Sequence, residues 1–238
     1  MQTPVGVPLG EKISIEIKKL REMSFKEKLE YIWEYYKFHI IGIAVALLII
    51  GGLMNTWFFN PKPEAALFIS WNSGFTTDEQ RDELQEFLQE LLIEGNENKE
   101  VIISYVLMNE NDPTLAMVNV QRIVAMVAGG TIDIFILDAE RLEENTKNGF
   151  LQPIEGILAE VQKKNAAVYE IIKENTAIEL YELEEDVFSE RIMGINVKSS
   201  PLLSELEFIG QELYLSVSIT SEKTENIIKT LIALFEEK

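Results

Sequence analysis

The chain has 238 residues, a formal net charge of −19, one histidine and no cysteine. Without cysteine there is no disulfide, thiol nucleophile, cysteine-ligated zinc, iron–sulfur cluster or lipid-accepting thiol. The acidic excess argues against nucleic acid as a partner, since that binding depends on Lys and Arg neutralising phosphates.

Met1 to Gly10, with Pro4, Pro8 and two glycines, reads as a flexible start. Glu11 to Met23 fits two patterns. Ile13, Ile15 and Ile17 alternate as in a strand, whereas Ile13, Ile17 and Leu20 share a helix face, and a helix near the inner membrane surface is preferred. Ser24 and Glu27 have capping-box spacing, in which each side chain satisfies the other residue's free N–H. Phe25, Leu29, Ile32 and Tyr36 then follow as one helical stripe. Phe38 to Phe59 is the most distinctive stretch. From Ile40 to Met54 no residue is charged, and about 20 apolar residues cross a hydrocarbon layer of about 30 Å. Tyr31, Trp33, Tyr35 and Tyr36 precede it and Trp57, Phe58 and Phe59 follow, as expected of rings at the headgroup level. The long leading region and the length of the run favour an uncleaved anchor over a signal peptide. His39 is read as an interfacial side chain.

Charge divides the chain at this stretch. Residues 1–37 carry seven Lys/Arg against six Glu, a net +1; residues 60–238 carry fourteen against thirty-four acids, a net −20. Basic residues near a span set its orientation, so the arm is expected inside and the domain outside the cell. The expected organisation is a cytoplasmic arm (1–37), a transmembrane helix (38–59), a linker (60–64) stiffened by Pro61 and Pro63, and an extracytoplasmic α/β domain (65–238).

Within the domain, Ala65 to Trp71 reads as a strand, and Thr77 with Gln80 opens a helix carrying Leu84, Phe87, Leu88, Leu91 and Leu92. Val101 to Leu107 is a second strand. Asp112-Pro113 starts a helix to Ala128 that is apolar nearly all round and is expected to be deeply buried. Thr131 to Leu137 is a third strand, Asp138 caps a helix to Lys147, and Ile154 to Glu174 reads as helical. Ala177 to Val197 alternates as one or two strands, and Leu213 to Ile219 is a further strand. Thr220 or Ser221 caps a last helix with Ile227, Ile228, Leu231, Ile232 and Phe235. Strands separated by helices imply βαβ units and a mainly parallel sheet flanked by helices.

Ala125 to Asp138 (AMVAGGTIDIFILD), continuing to Asn148–Pro153, resembles a segment of the extracellular solute-binding proteins of bacterial transporters: a helix, a small-residue turn, an Asp-bearing strand and a G-x-L-x-P turn. Gly194–Leu203 through Glu212–Ile219 resembles their late strand–helix unit. Ser24 to Ile40 is similar to the start of uncharacterised single-span membrane proteins of Gram-positive bacteria. The resemblance implies one lobe of a periplasmic-binding-protein-like fold, displayed outside the cell as a binding module. It departs from that family in having room for one lobe, and in lacking the lipid anchor.

Candidate chemistry is sparse. The domain has no His or Cys to serve as a positioned base or nucleophile, so no catalytic residue is expected. Asn109-Glu-Asn-Asp112 lacks calcium-loop spacing, and Gly129-Gly130 follows a helix instead of opening one, so neither metal nor phosphate is expected there. No cofactor is implied. Ligands of open parallel sheets bind beyond the carboxyl ends of the strands, which marks Asn72, Ser73, Asn109 and Asp138, each of which also suits a turn or cap. The expected function is a single-pass, membrane-anchored binding or interaction module without catalysis, with a small-molecule ligand or a membrane-protein partner. The alternatives are an assembly partner of an envelope or transporter complex without a small ligand, and then an extracytoplasmic enzyme.

Overall fold

The computed structural model describes residues 10, 14, 15, 17, 18, 21, 23–59, 63–73, 76–96, 98–106, 113–184, 187–205 and 212–236. They fall into two compact units, Met1–Pro61 and Lys62–Lys238.

The first unit is dominated by α1 (Phe25–Met54), which continues into one π-helical turn, Asn55–Phe59. The capping box forms as its spacing predicts: Ser24 N donates to Glu27 Oε2 at 2.8 Å, and Glu27 N donates to Ser24 Oγ. No side chain of α1 is buried. Phe25–Trp57 is long and apolar enough to cross a membrane; its most apolar 18 residues have a mean hydropathy of 2.1, and none of that stretch is covered by protein. The described arm residues Ser14, Ile15, Ile17, Lys18 and Arg21 are helical, in line with the helical alternative.

The second unit opens with β1 (Glu64–Trp71), α2 (Asp78–Ile93), β2 (Lys99–Tyr105), α3 (Pro113–Ala128), β3 (Ile134–Leu137) and α4 (Ala139–Lys147). Two shorter helices follow, α5 (Glu155–Lys164) and α6 (Ala166–Lys173). The sequence predicts one helix here. Asn165 divides it, its backbone extended (φ −149°, ψ 93°), closing α5 with its N–H and capping α6 through its side chain. Then come β4 (Thr176–Glu184), β5 (Val187–Asn196), α7 (Pro201–Glu205), β6 (Tyr214–Val217) and α8 (Thr224–Phe235).

The six strands form one sheet in the order β2-β1-β3-β6-β5-β4. It is mixed, which corrects the expected mainly parallel sheet. β1 runs parallel to β2 and to β3, but β6 is antiparallel to both β3 and β5, and β4 pairs antiparallel with β5. For β4 and β5 the cause is local: between the end of β4 at Glu184 and the start of β5 at Val187 there is no room for a crossover helix, so the alternating 176–196 region folds back on itself. Alternation along β1 sends Leu67, Ile69 and Trp71 to a core shared with α2, α5, α6 and α8. Phe68 faces the opposite layer, with Ile123 and Val127 of α3 and Leu142 of α4.

A second correction concerns α3. Only Ile123 and Val127 of this helix are buried among its described side chains; Leu115, Met117, Val118, Val120 and Val124 are exposed. An all-round apolar pattern signals burial only if something packs on both sides, and here the sheet covers one.

At the amino end of β3, Asp133 is 1% exposed and fully engaged. Its Oδ2 accepts from Phe68 N (2.8 Å) and Lys223 Nζ (2.9 Å), and its Oδ1 accepts from Ser221 Oγ (2.7 Å). One carboxylate thus ties β1, β3 and the entry to α8. This explains why neither Thr220 nor Ser221 caps α8, as the sequence predicts: Ser221 serves Asp133, Thr220 Oγ1 donates to Val127 O (3.0 Å), and Lys223 takes the cap position.

Candidate functional site

β1 and β3 are adjacent and parallel, and their carboxyl ends feed helices on opposite faces of the sheet. α2 packs in the first core and α4 in the second. Diverging connections of this kind open a crevice beyond the strand ends. Asn72 stands at its base. Its N–H donates to Ile136 O (2.9 Å), fixing the end of β1 against β3, and its Oδ1 accepts from Ser70 Oγ (2.7 Å).

From Asn72 a narrow cleft with a cavity volume of about 30 Å³, the size of a water molecule, runs between α3 and α4. Val120, Ile123 and Phe150 supply its apolar wall. Its polar wall is one side of α4: Arg141, Glu144, Asn145 and Asn148, at steps of three, one and three that keep them on neighbouring rows. Asn145 Nδ2 donates to Arg141 O (2.7 Å), and Asn148 closes the helix by donating its N–H to Glu144 O.

The predicted residues fare differently. Asn72 lines the cleft. Asp138 sits at the carboxyl end of β3 and caps α4, its Oδ1 accepting from Arg141 N (2.8 Å) while its Oδ2 lies 3.5 Å from Arg141 Nε. Ser73 is 5% exposed and does not line the cleft; its carbonyl accepts from Trp71 Nε1 (2.7 Å), and its buried Oγ has no hydrogen-bond partner. Asn109 lies outside the described residues. The sequence reading misses Arg141 and the Asn145–Asn148 side of α4. Their helical spacing was visible, but only the cleft that they share with Asn72 makes that side a wall.

Two arginines border the strand ends and are treated differently. Arg81, on α2, donates to Thr76 O (3.0 Å), pairs with Asp78 and lies 4.9 Å over the Tyr105 ring. Arg141 is also largely covered, with its side chain 21% exposed, yet its Nε makes no hydrogen bond. A guanidinium left partly unsatisfied beside amides and an apolar wall can accept a planar anionic or carbonyl group from a ligand.

On the far side of α4, Glu143 and Lys147 form an ion pair. Glu179 of β4 lies close by, and its carboxyl is pushed above the usual Glu range by burial first and by Glu143 second, with Lys147 opposing. The Tyr214 hydroxyl is raised likewise, chiefly by burial and by its 3.2 Å hydrogen bond to Glu212. Among the described residues no cluster of three or more His, Asp or Glu is arranged to hold a metal ion.

No protein-family model matches the chain, and no curated protein matches its sequence. Among solved structures it is similar to an extracellular solute-binding protein, family 1, from Alicyclobacillus acidocaldarius, at 14% identity and a TM-score of 0.28. That match covers 57% of this chain and 28% of the other, so this chain spans little more than a quarter of that protein's length.

Proposed function

We propose that the chain is a single-pass, membrane-anchored binding module whose domain stands outside the cell and performs no catalysis. The observation that carries this reading is the helix Phe25–Trp57: 33 residues with no protein surface covering the apolar window, and aromatic rings at both ends. Such a helix needs an apolar solvent, because every exposed Leu, Ile or Val side chain costs free energy in water. The charge contrast between the arm and the −20 domain supports the orientation.

The second unit supplies the binding. Its narrow cleft lies where open α/β sheets take ligands, and an apolar wall faces Asn72, Arg141, Glu144, Asn145 and Asn148 there. The segments resembling solute-binding proteins cross the same region, Ala125 to Pro153. The test is a thermal-shift screen of the full chain in detergent against sugars, peptides and divalent ions. A ligand at 100 times its Kd adds about 2.7 kcal/mol of stability. Loss of that shift in Arg141→Gln would place the ligand in this cleft. Mass measurement of the protein from cells, with protease treatment of intact cells, checks the anchor. A chain that has lost residues 1–59, or a domain that is protected, would overturn it.

A second reading, an assembly partner without a small ligand, is favoured by one observation: the exposed apolar surface of α3. Uniform failure of the ligand screen together with a co-purifying membrane protein would select it.

A further inference from the structure

We propose that α3 is a self-association surface through which two copies of the chain pair in the membrane. The starting point is charge. Two domains of −20 repel each other, and salt screens that repulsion only beyond about 8 Å. Close approach therefore requires a surface without carboxylates. The domain spreads its 34 acids over nearly every element, yet among the described α-helices α3 (PTLAMVNVQRIVAMVA) is the one with no Asp or Glu, and Arg122 is its only charge.

The same helix carries the domain's largest helical display of apolar side chains. Met117 is 60% and Val118 53% exposed, and Val120 and Val124 lie open beside them. Turning about 100° per residue from the buried pair Ile123 and Val127, Val118, Gln121 and Ala125 fall on the outward side. An antiparallel pairing about a two-fold axis through Gln121 is self-complementary. It sets Gln121 against Gln121 of the second copy, Val118 against Val124, and Met117 against Ala125. The small Ala125 admits the long Met117, and the paired amides fix the register, as a lone polar residue does in helix pairs.

The 16-residue helix is about 24 Å long, so one helical face covers well under the ~800 Å² per partner of a stable soluble pair. That limit points to this chain as the occupant. Two copies held in one membrane by α1 meet at a high effective concentration, so a small interface suffices for them and fails for a partner arriving from solution. In this respect the inference rests on the anchored reading above.

The chain has no cysteine, so single introduced thiols report contacts without background. Gln121→Cys and Val118→Cys in the full chain, oxidised in native membranes, are expected to give a disulfide-linked band of twice the chain mass. A thiol at exposed Glu225 is expected to give at least tenfold less. Adding Val118→Asp to Gln121→Cys is expected to cut the dimer at least tenfold while the melting midpoint stays unchanged. A band equally strong at Glu225, no band from either α3 position, or a linked species of another mass would each overturn the proposal. The band's mass also reports whether α1 is still attached, which separates failure of the anchor from failure of the pairing.

Discussion

The two ends of the β1–β3 pair handle polarity in opposite ways. At the amino end, Asp133 is buried and receives three hydrogen bonds from the chain itself, from Phe68, Ser221 and Lys223. At the carboxyl end, Ser73 Oγ is buried without a hydrogen bond, and Arg141 Nε, beside the cleft, makes a 3.5 Å ion pair with Asp138 but no hydrogen bond. A burial cost met internally is a structural device. One left open is tolerated where something from outside completes it. Ser216 Oγ within β6 and Thr230 Oγ1 of α8 are also buried and unpaired, but neither lines this cleft.

The comparison breaks most readily at Asp133. Asp133→Ala removes the carboxylate and strands the Phe68 N–H, so we expect a loss of about 3 kcal/mol. Denaturant unfolding with an unchanged m-value would measure it, and a loss under about 1 kcal/mol would mean the network is incidental. Lys223→Met keeps the other two donors and leaves the charge less compensated. Its side chain is 31% exposed, so the expected cost is smaller, about 1.5 kcal/mol. At the other end, Ser73→Ala should change stability by no more than about 0.5 kcal/mol, because no hydrogen bond is lost. A drop of about 2 kcal/mol there would show Ser73 to be as structural as Asp133.

The smallest effect concerns Glu179. Its raised pKa means that the folded chain holds this proton more tightly than the unfolded one. The stabilising contribution is therefore complete below the ordinary Glu range and is lost as pH rises through the folded value. Glu179→Gln should raise the melting temperature slightly at about pH 7, and do so much less at about pH 4, where most copies of the parent chain are already neutral at this position. Equal melting curves at neutral pH would remove Glu143 and burial as a source of strain on α4.

Local signals were legible in the sequence. Both capping boxes and the Asp138 cap form at their predicted residues, because each depends on a three-residue spacing. Strand directions were not. Nothing within Ala177 to Val197 or Leu213 to Ile219 specifies a neighbour; the short β4–β5 connection sets that one pair antiparallel, and the direction of β6 had no local signal. The exposure of α3 was misread for the same reason: apolar character reports a preference, and only the packing says whether it is met. Of the cleft, Asn72 came from its place after β1, while Arg141 needed the juxtaposition of two elements far apart in the chain.

The mixed order also leaves β4 at one margin of the sheet, paired among the described strands with β5. Ile178 and Leu180 are exposed along it, interleaved with Glu179 and Glu182. Those carboxylates act as gatekeepers against strand addition from neighbouring molecules. The guard is charge and not shape, so it has a working range. In acid, Glu179 takes up its proton above the usual Glu range, and one charge of that guard is lost.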